Sequence, residues 1–291
     1  MKGLIQSPVP ATVCEFDSHL GHSAVSTDEE GRSGGPHRDT PSSPDVRTPE
    51  AMERSAGLSP RAKGRLAGLF EALEGLTSAG GQVVVRGKFV VSGAAAATAA
   101  NIIAHPRLVW LGFALSVLGV LFHLAWALAF YELFKPVRRS VNRLALSVII
   151  AGCAVQAVTA LLYIAPLLVL QNGGSLSGFT PEQQQALAYV FVKLNGAAFN
   201  LYLVVFGVWC VLIGYLIFKS TFLPRILGVL LAIDGLAWML YLHPPLATQL
   251  FSWIAVASAV AEIPLQLWLL VLGVNPDRWK EQAMARRSSQ P

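Results

Sequence analysis

From residue 110 onward, long apolar runs alternate with short polar or basic punctuation. The runs cover 110–134, 144–170, 187–218, 223–242 and 248–272. A bilayer core about 30 Å thick needs roughly 20 apolar helical residues, so each run predicts a membrane-crossing helix. The pattern is plainest at 195–240, where two apolar helices flank a basic turn bounded by Lys219 and Arg225. Pro224 suits the start of the second helix, where its missing N–H would be unpaired anyway. Upstream, Thr180, Pro181 and Gln183 read as an N-cap, a first-turn proline and the return half of a capping box. Pro244 and Pro245 close the span at 223–242, and Gly273, Asn275 and Pro276 stop the one at 248–272.

A weaker candidate precedes these. Residues 66–85 carry Glu71, Glu74 and Gln82 among several glycines, and a charge near a helix centre costs a few kcal/mol on insertion scales. Parity favours spanning, because without this crossing a tail of more than a hundred residues would stand outside. Residues 94–105 are alanine-rich and helical by propensity, with Asn101 and His105 on one face, and predict an interfacial helix. Residues 1–60 are rich in Ser, Pro, Gly, Thr and charge, a composition that cannot offset chain entropy by burial. They predict a disordered cytoplasmic tail whose His19, His22 and His37 lack a metal-binding Cys/His grid. The expectation is therefore an all-α, multi-pass transmembrane helical bundle of six spans over 61–280, followed by a short basic tail at 281–291.

Composition agrees: 54% of residues are hydrophobic and 13% charged, outside the range of ordinary soluble domains. The net charge of +5 and pI near 9.3 do not call for nucleic acid, since the basic residues sit in short loops beside apolar spans. On the predicted inner side stand Arg54, Arg61, Lys63, Arg65, Lys135, Arg138, Arg139, Arg143, Lys219, Arg225, Arg278, Lys280, Arg286 and Arg287. Against them the outer flanks hold Arg86, Lys88 and Arg107, so the positive-inside rule puts both termini in the cytoplasm of a cell-membrane protein. Its surroundings are then the lipid bilayer, with a homo-oligomer or a partner membrane subunit open. Residues 1–25 lack the apolar core of a signal peptide. Cys14, Cys153 and Cys210 have no metal or redox spacing, and the latter two read as small buried hydrophobes.

Four stretches carry a family resemblance: 120–137 (VLFHLAWALAFYELFKPV), 214–230 (GYLIFKSTFLPRILGVL), 95–105 (AAATAANIIAH) and 267–279 (LWLLVLGVNPDRW). On these the chain, over about 65–279, resembles the bacterial integral-membrane family known as domain of unknown function 4386. The resemblance implies six transmembrane helices and no assigned activity. Similar sequences carry a more apolar first span, and histidines near the positions of Asn195 and Trp209.

Ionisable groups at bilayer depth are costly and ask for an explanation. His123 lies on the stripe Gly112, Ser116, Gly119, His123, Ala127, which turns it inward. As a haem ligand it would need a second histidine at like depth, and His105 and His243 fall near the outer ends. Gln156 shares a face with Gly152 and Thr159, and Asn200 falls among Gly196, Gly207 and Gly214 on a small-residue seam. Asp234 and Glu262 stand mid-span, with Gln266 one turn beyond Glu262 and Pro264 between. Asp234, Glu262, Gln266, Asn200, His123 and Gln156 thus form the candidate intramembrane polar site, of the kind a proton or cation pathway uses. The first reading is a small-solute or proton- or cation-linked carrier, or a ligand-binding membrane protein. The second is a non-catalytic accessory or regulatory subunit, and a membrane redox or lipid enzyme ranks last, since HExxH, P-loop and paired-histidine patterns are missing and the apolar spans hold no GxSxG. No cofactor is called for.

Overall fold

A computed structural model describes residues 58–171 and 176–288, so all but the last three residues of the predicted tail, its three histidines and Cys14 included, lie outside the described residues. Among the described residues every regular element is helical. Helix α1 (Pro60–Ala79) has Pro60 in its first turn and Ser59 as N-cap, the Ser59 hydroxyl accepting from the Ala62 N–H at 3.2 Å. It continues without a break through a π-helical stretch, Gly80–Val85, into α2 (Arg86–Phe89). Helix α3 (Ala95–Ala104) follows a turn closed by Thr98, whose hydroxyl accepts from the Val91 N–H at 3.0 Å and donates to the Val91 carbonyl at 3.1 Å. The remainder are α4 (Pro106–Phe134), α5 (Arg139–Gln171), α6 (Pro181–Lys219) and α7 (Arg225–Trp238), the last running into a 3₁₀ turn, Met239–Leu242. Then come α8 (Pro244–Gln249), α9 (Phe251–Val271) and α10 (Pro276–Ser288).

Among the described residues five helical segments are long and apolar enough to cross a membrane: Pro106–Phe134, Arg139–Gln171, Pro181–Lys219, Arg225–Leu242 and Phe251–Val271. The predicted span at 66–85 is helical but too polar to join them by composition. It buries Gly64, Ala67, Gly68, Glu71 and Glu74 against the bundle. The capping box at α6 is present, Thr180 and Gln183 each accepting from the other's backbone N–H at 3.3 and 2.9 Å. Residues 281–288, in the expected short basic tail, are helical and complete α10.

One end of the bundle collects the basic loops. Lys63 at the start of α1 reaches Glu132 at the end of α4 at 3.8 Å, and Arg65 donates to the Val271 carbonyl at 3.0 Å. Helix α10 straps this end. Its Trp279 indole donates to the Leu133 carbonyl at 2.8 Å, its Arg286 guanidinium to the Lys135 carbonyl at 2.9 Å, and its Gln282 carbonyl oxygen accepts from the Thr221 N–H at 3.0 Å. Since the start of α1, the ends of α4, α6 and α9, and the starts of α5 and α7 all meet here, the chain passes along the bundle six times.

The α6–α7 hairpin closes on two glycine pairs. A Cβ at Gly235 would lie 2.5 Å from the Gly207 carbonyl oxygen and one at Gly207 2.5 Å from that of Gly235; Gly214 and Gly228 repeat the arrangement at 2.6 and 2.5 Å. Bare backbones here let the helices touch. Aromatic packing fills the centre: Trp209 stacks on Phe130 and meets Trp126 edge-on, with ring centroids 5.8 and 4.7 Å apart. Outward, Leu121, Leu161, Leu201, Ile233 and Val260 are each half or more exposed. So much exposed apolar surface suits lipid and not water.

Candidate functional site

Glu74 is the hub of a buried polar cluster drawn from four helices. One of its oxygens, Oε1, accepts from the Ser78 hydroxyl one turn along α1 at 2.7 Å and from the Gln156 amide of α5 at 3.2 Å. The same oxygen lies 3.5 Å from His123 Nδ1 on α4 and 3.5 Å from the Tyr202 hydroxyl on α6. His123 Nδ1 and Tyr202 are themselves 3.0 Å apart. Helical spacing puts Glu71, Glu74 and Ser78 on one face, because residues three and four apart sit above one another. Gly119 lets Ser78 in: a Cβ there would stand 2.7 Å from the Ser78 hydroxyl oxygen.

The His123 ring is fully buried and boxed by Trp126, Tyr202, Phe206 and Trp209, with centroids 5.1 to 5.8 Å away. Among the described residues its Nε2 has no hydrogen-bond partner, nor has Gln156 Oε1. The other two histidines of the described bundle serve helix ends: His105 Nδ1 lies 3.1 Å from the Asn101 carbonyl, and His243 Nδ1 accepts from the Leu246 N–H at 3.3 Å.

The second carboxyl centre joins α7 and α9. Glu262 accepts from the Trp238 indole at 3.2 Å. Drawn as two carboxylates, Asp234 and Glu262 offer each other only acceptors, and neither Asp234 oxygen then has a donor. The two side chains are close enough to interact, and a proton on either one would supply the donor that the pair lacks. Glu71, also buried and with neither oxygen partnered among the described residues, is within electrostatic reach of Glu262 and Glu74. Four carboxyls thus gather at mid-bundle, where an unpaired charge is expensive.

Between the two centres lies a cavity of about 400 Å³. Glu74 and Ser78 line it from α1, Tyr202 and Phe206 from α6, Trp238 from α7 and Glu262 from α9. Such a concave, mostly apolar chamber with a few polar groups aimed into it is the usual form of a ligand site. Among the described residues no group of three or more His, Cys, Asp and Glu is arranged to hold a metal ion.

The six sequence-predicted residues divide. His123 and Gln156 meet at Glu74, and Asp234 meets Glu262, which faces the same cavity. Asn200 and Gln266 are half-buried, and their side chains make no hydrogen bond among the described residues; Gln266 lies where α9 crosses Gly68, its carbonyl oxygen 3.2 Å from where that residue's Cβ would be. Asn195, treated as a departure from the family, donates to the Thr159 carbonyl at 2.9 Å and braces α6 on α5. Glu74, Ser78, Tyr202 and Trp238 were not among the predicted site residues.

Helices of this length and outer apolarity, with polar groups turned to the interior, define a multi-pass integral membrane protein. Within that class the chain belongs to the family described as Domain of unknown function (DUF4386), whose sequence model matches residues 66–273. No curated protein and no solved structure matches the chain.

Proposed function

We propose that this protein is a carrier or ligand-binding protein for small organic cations, linked to proton exchange, with α1 as the first of six spans and both termini in the cytoplasm at the cell membrane. One observation supports it above the rest: Glu74 and Glu262 line one cavity, each backed by a buried partner set that contains a titratable side chain. A cation entering between them meets two carboxyls and the aromatic side chains of Tyr202, Phe206 and Trp238, rings of the kind that attract positive charge through their quadrupoles. Behind Glu74 stands His123 and behind Glu262 stands Asp234, so each cavity carboxyl has a second polar group at its back. The basic end of the bundle, where α1 starts and α10 lies, supports the inward orientation. The glycine seams on which an accessory-subunit reading draws are used inside the α6–α7 hairpin.

The test is uptake into proteoliposomes loaded with a pH-sensitive dye, using quaternary ammonium ions because they cannot cross as neutral bases. Tetramethylammonium and benzyltrimethylammonium are expected to accumulate with an opposing proton flux. Glu74→Gln and Glu262→Gln are expected to remove it while the protein still inserts and unfolds at nearly its original midpoint. Wild-type vesicles indistinguishable from empty ones, in both binding and flux, would sink the proposal.

A further inference from the structure

The ligand chamber is open at its side. At the basic end α1 is in close contact with α9 and the turn that follows it: a Cβ at Gly68 would lie 2.9 Å from Leu269 Cβ of α9, and one at Gly64 3.2 Å from Val274 Cγ1 just past its end. Further along, the cavity itself stands between the two helices, with Glu74, Ser78 and Val83 on the α1 side and Phe251, Ala255, Ser258 and Glu262 on the α9 side. The helices therefore diverge from their glycine contact toward the far end. The rim is formed by Val83, Phe251 and Ile263, which are 64%, 53% and 51% exposed on the apolar outer surface that the other spans share. Val83 belongs to the π-helical stretch Gly80–Val85, an irregularity that recurs at functional sites because it re-aims side chains within a helix. A slot with such a rim opens onto acyl chains.

Resting on the cation-binding reading above, we infer that the ligand is a cationic amphiphile, one positive headgroup on an apolar tail, that enters sideways from the bilayer between α1 and α9. The headgroup reaches Glu74 and Glu262 at the inner end. The tail lies along Phe199, Phe251 and the rim, where an apolar wall replaces lipid at no cost. A compact hydrophilic cation leaves that wall uncovered and has to be stripped of water to arrive.

The experiment is competition in nanodiscs, with labelled benzyltrimethylammonium as probe and decyltrimethylammonium or tetramethylammonium as competitor. The decyl compound is expected to displace the probe at a concentration lower by about tenfold or more, the effect of burying some two extra methylene groups. Decanol, with the tail and no charge, is expected to compete poorly, which separates site binding from partition into lipid. Ala255→Trp and, as a second variant should the first not fold, Ala259→Trp place an indole in the slot and are expected to abolish the decyl preference. Equal displacement by tetramethylammonium, or a decyl preference that survives both tryptophans, overturns lateral entry while leaving the cation site standing. Failure of the wild-type protein to bind any of the ammonium ions overturns the cation reading itself, and this inference with it.

Discussion

Gly235→Ala probes the contact that holds α7 in place. The new methyl would sit 2.5 Å from the Gly207 carbonyl oxygen and 2.9 Å from the Val211 backbone nitrogen, against 3.4 Å for ordinary contact. Both obstacles are backbone atoms, so no rotamer change relieves them, and α7 has to shift outward by an appreciable part of that shortfall. Overpacking of this kind costs about 1–3 kcal/mol. The shift also draws Asp234 and Trp238, which flank residue 235, away from α6 and their partners around Glu262. The expected result is a lower unfolding midpoint in detergent, by heat or by titration with dodecyl sulfate, together with weaker cation binding. Gly75→Ala serves as the control: nothing lies within 4 Å of its Cβ, and trading glycine for alanine inside a helix is neutral to favourable by about 1 kcal/mol. A Gly235→Ala protein as stable as the Gly75→Ala one would refute the reasoning that the hairpin is closed by backbone contact.

Four further outcomes are expected. Gly119→Ala pushes the Ser78 hydroxyl off Glu74 and should weaken cation binding several-fold, read by the same displacement assay, with insertion unaffected. Thr180→Ala removes the side-chain half of a capping box outside the bilayer and should destabilise by about 1 kcal/mol, measured as a shift in unfolding midpoint. Trp279→Phe keeps most of the ring but loses the indole bond to Leu133, so the strap formed by α10 should become more open to protease, with little change in cation binding. Asp234→Asn supplies a permanent N–H in place of the shared proton and should retain stability, whereas Asp234→Leu should lose about 1 kcal/mol or more, the value of a buried interhelical hydrogen bond in a membrane; equal stability of the two would remove the argument for a shared proton.

Much of this arrangement is legible in the chain. The seam Gly112–Ser116–Gly119–His123–Ala127 faces inward because a 3.6-residue period fixes which side chains share a face, and the structure buries all five. Gln156 is found the same way. Glu74 is missed because its helix is judged by average polarity, under which Glu71 and Glu74 count only as a cost. The informative signal is their phase: they continue the stripe Gly64, Ala67, Gly68, so the charges follow a face already marked for close packing. Asn200 is misplaced for a similar reason. It shares the glycine face that serves the α6–α7 contact, while Tyr202, two residues and about 200° further round the helix, meets Glu74 and His123. Which polar groups of different helices converge depends on tilt and crossing, and the helical period carries no record of those.

The two glutamates of α1 also bear on how the bundle is assembled. Alone in a bilayer, a helix with charges near its centre carries a penalty of about 2.5–3.5 kcal/mol for each, and Glu71 and Glu74 stand three residues apart. Ser78 of the same helix supplies one donor to Glu74, but its other partners, His123, Gln156 and Tyr202, come from α4, α5 and α6, all synthesised later. On the six-span reading, α1 therefore gains most of the partners of its buried carboxylate only after His123, Gln156 and Tyr202 have been made.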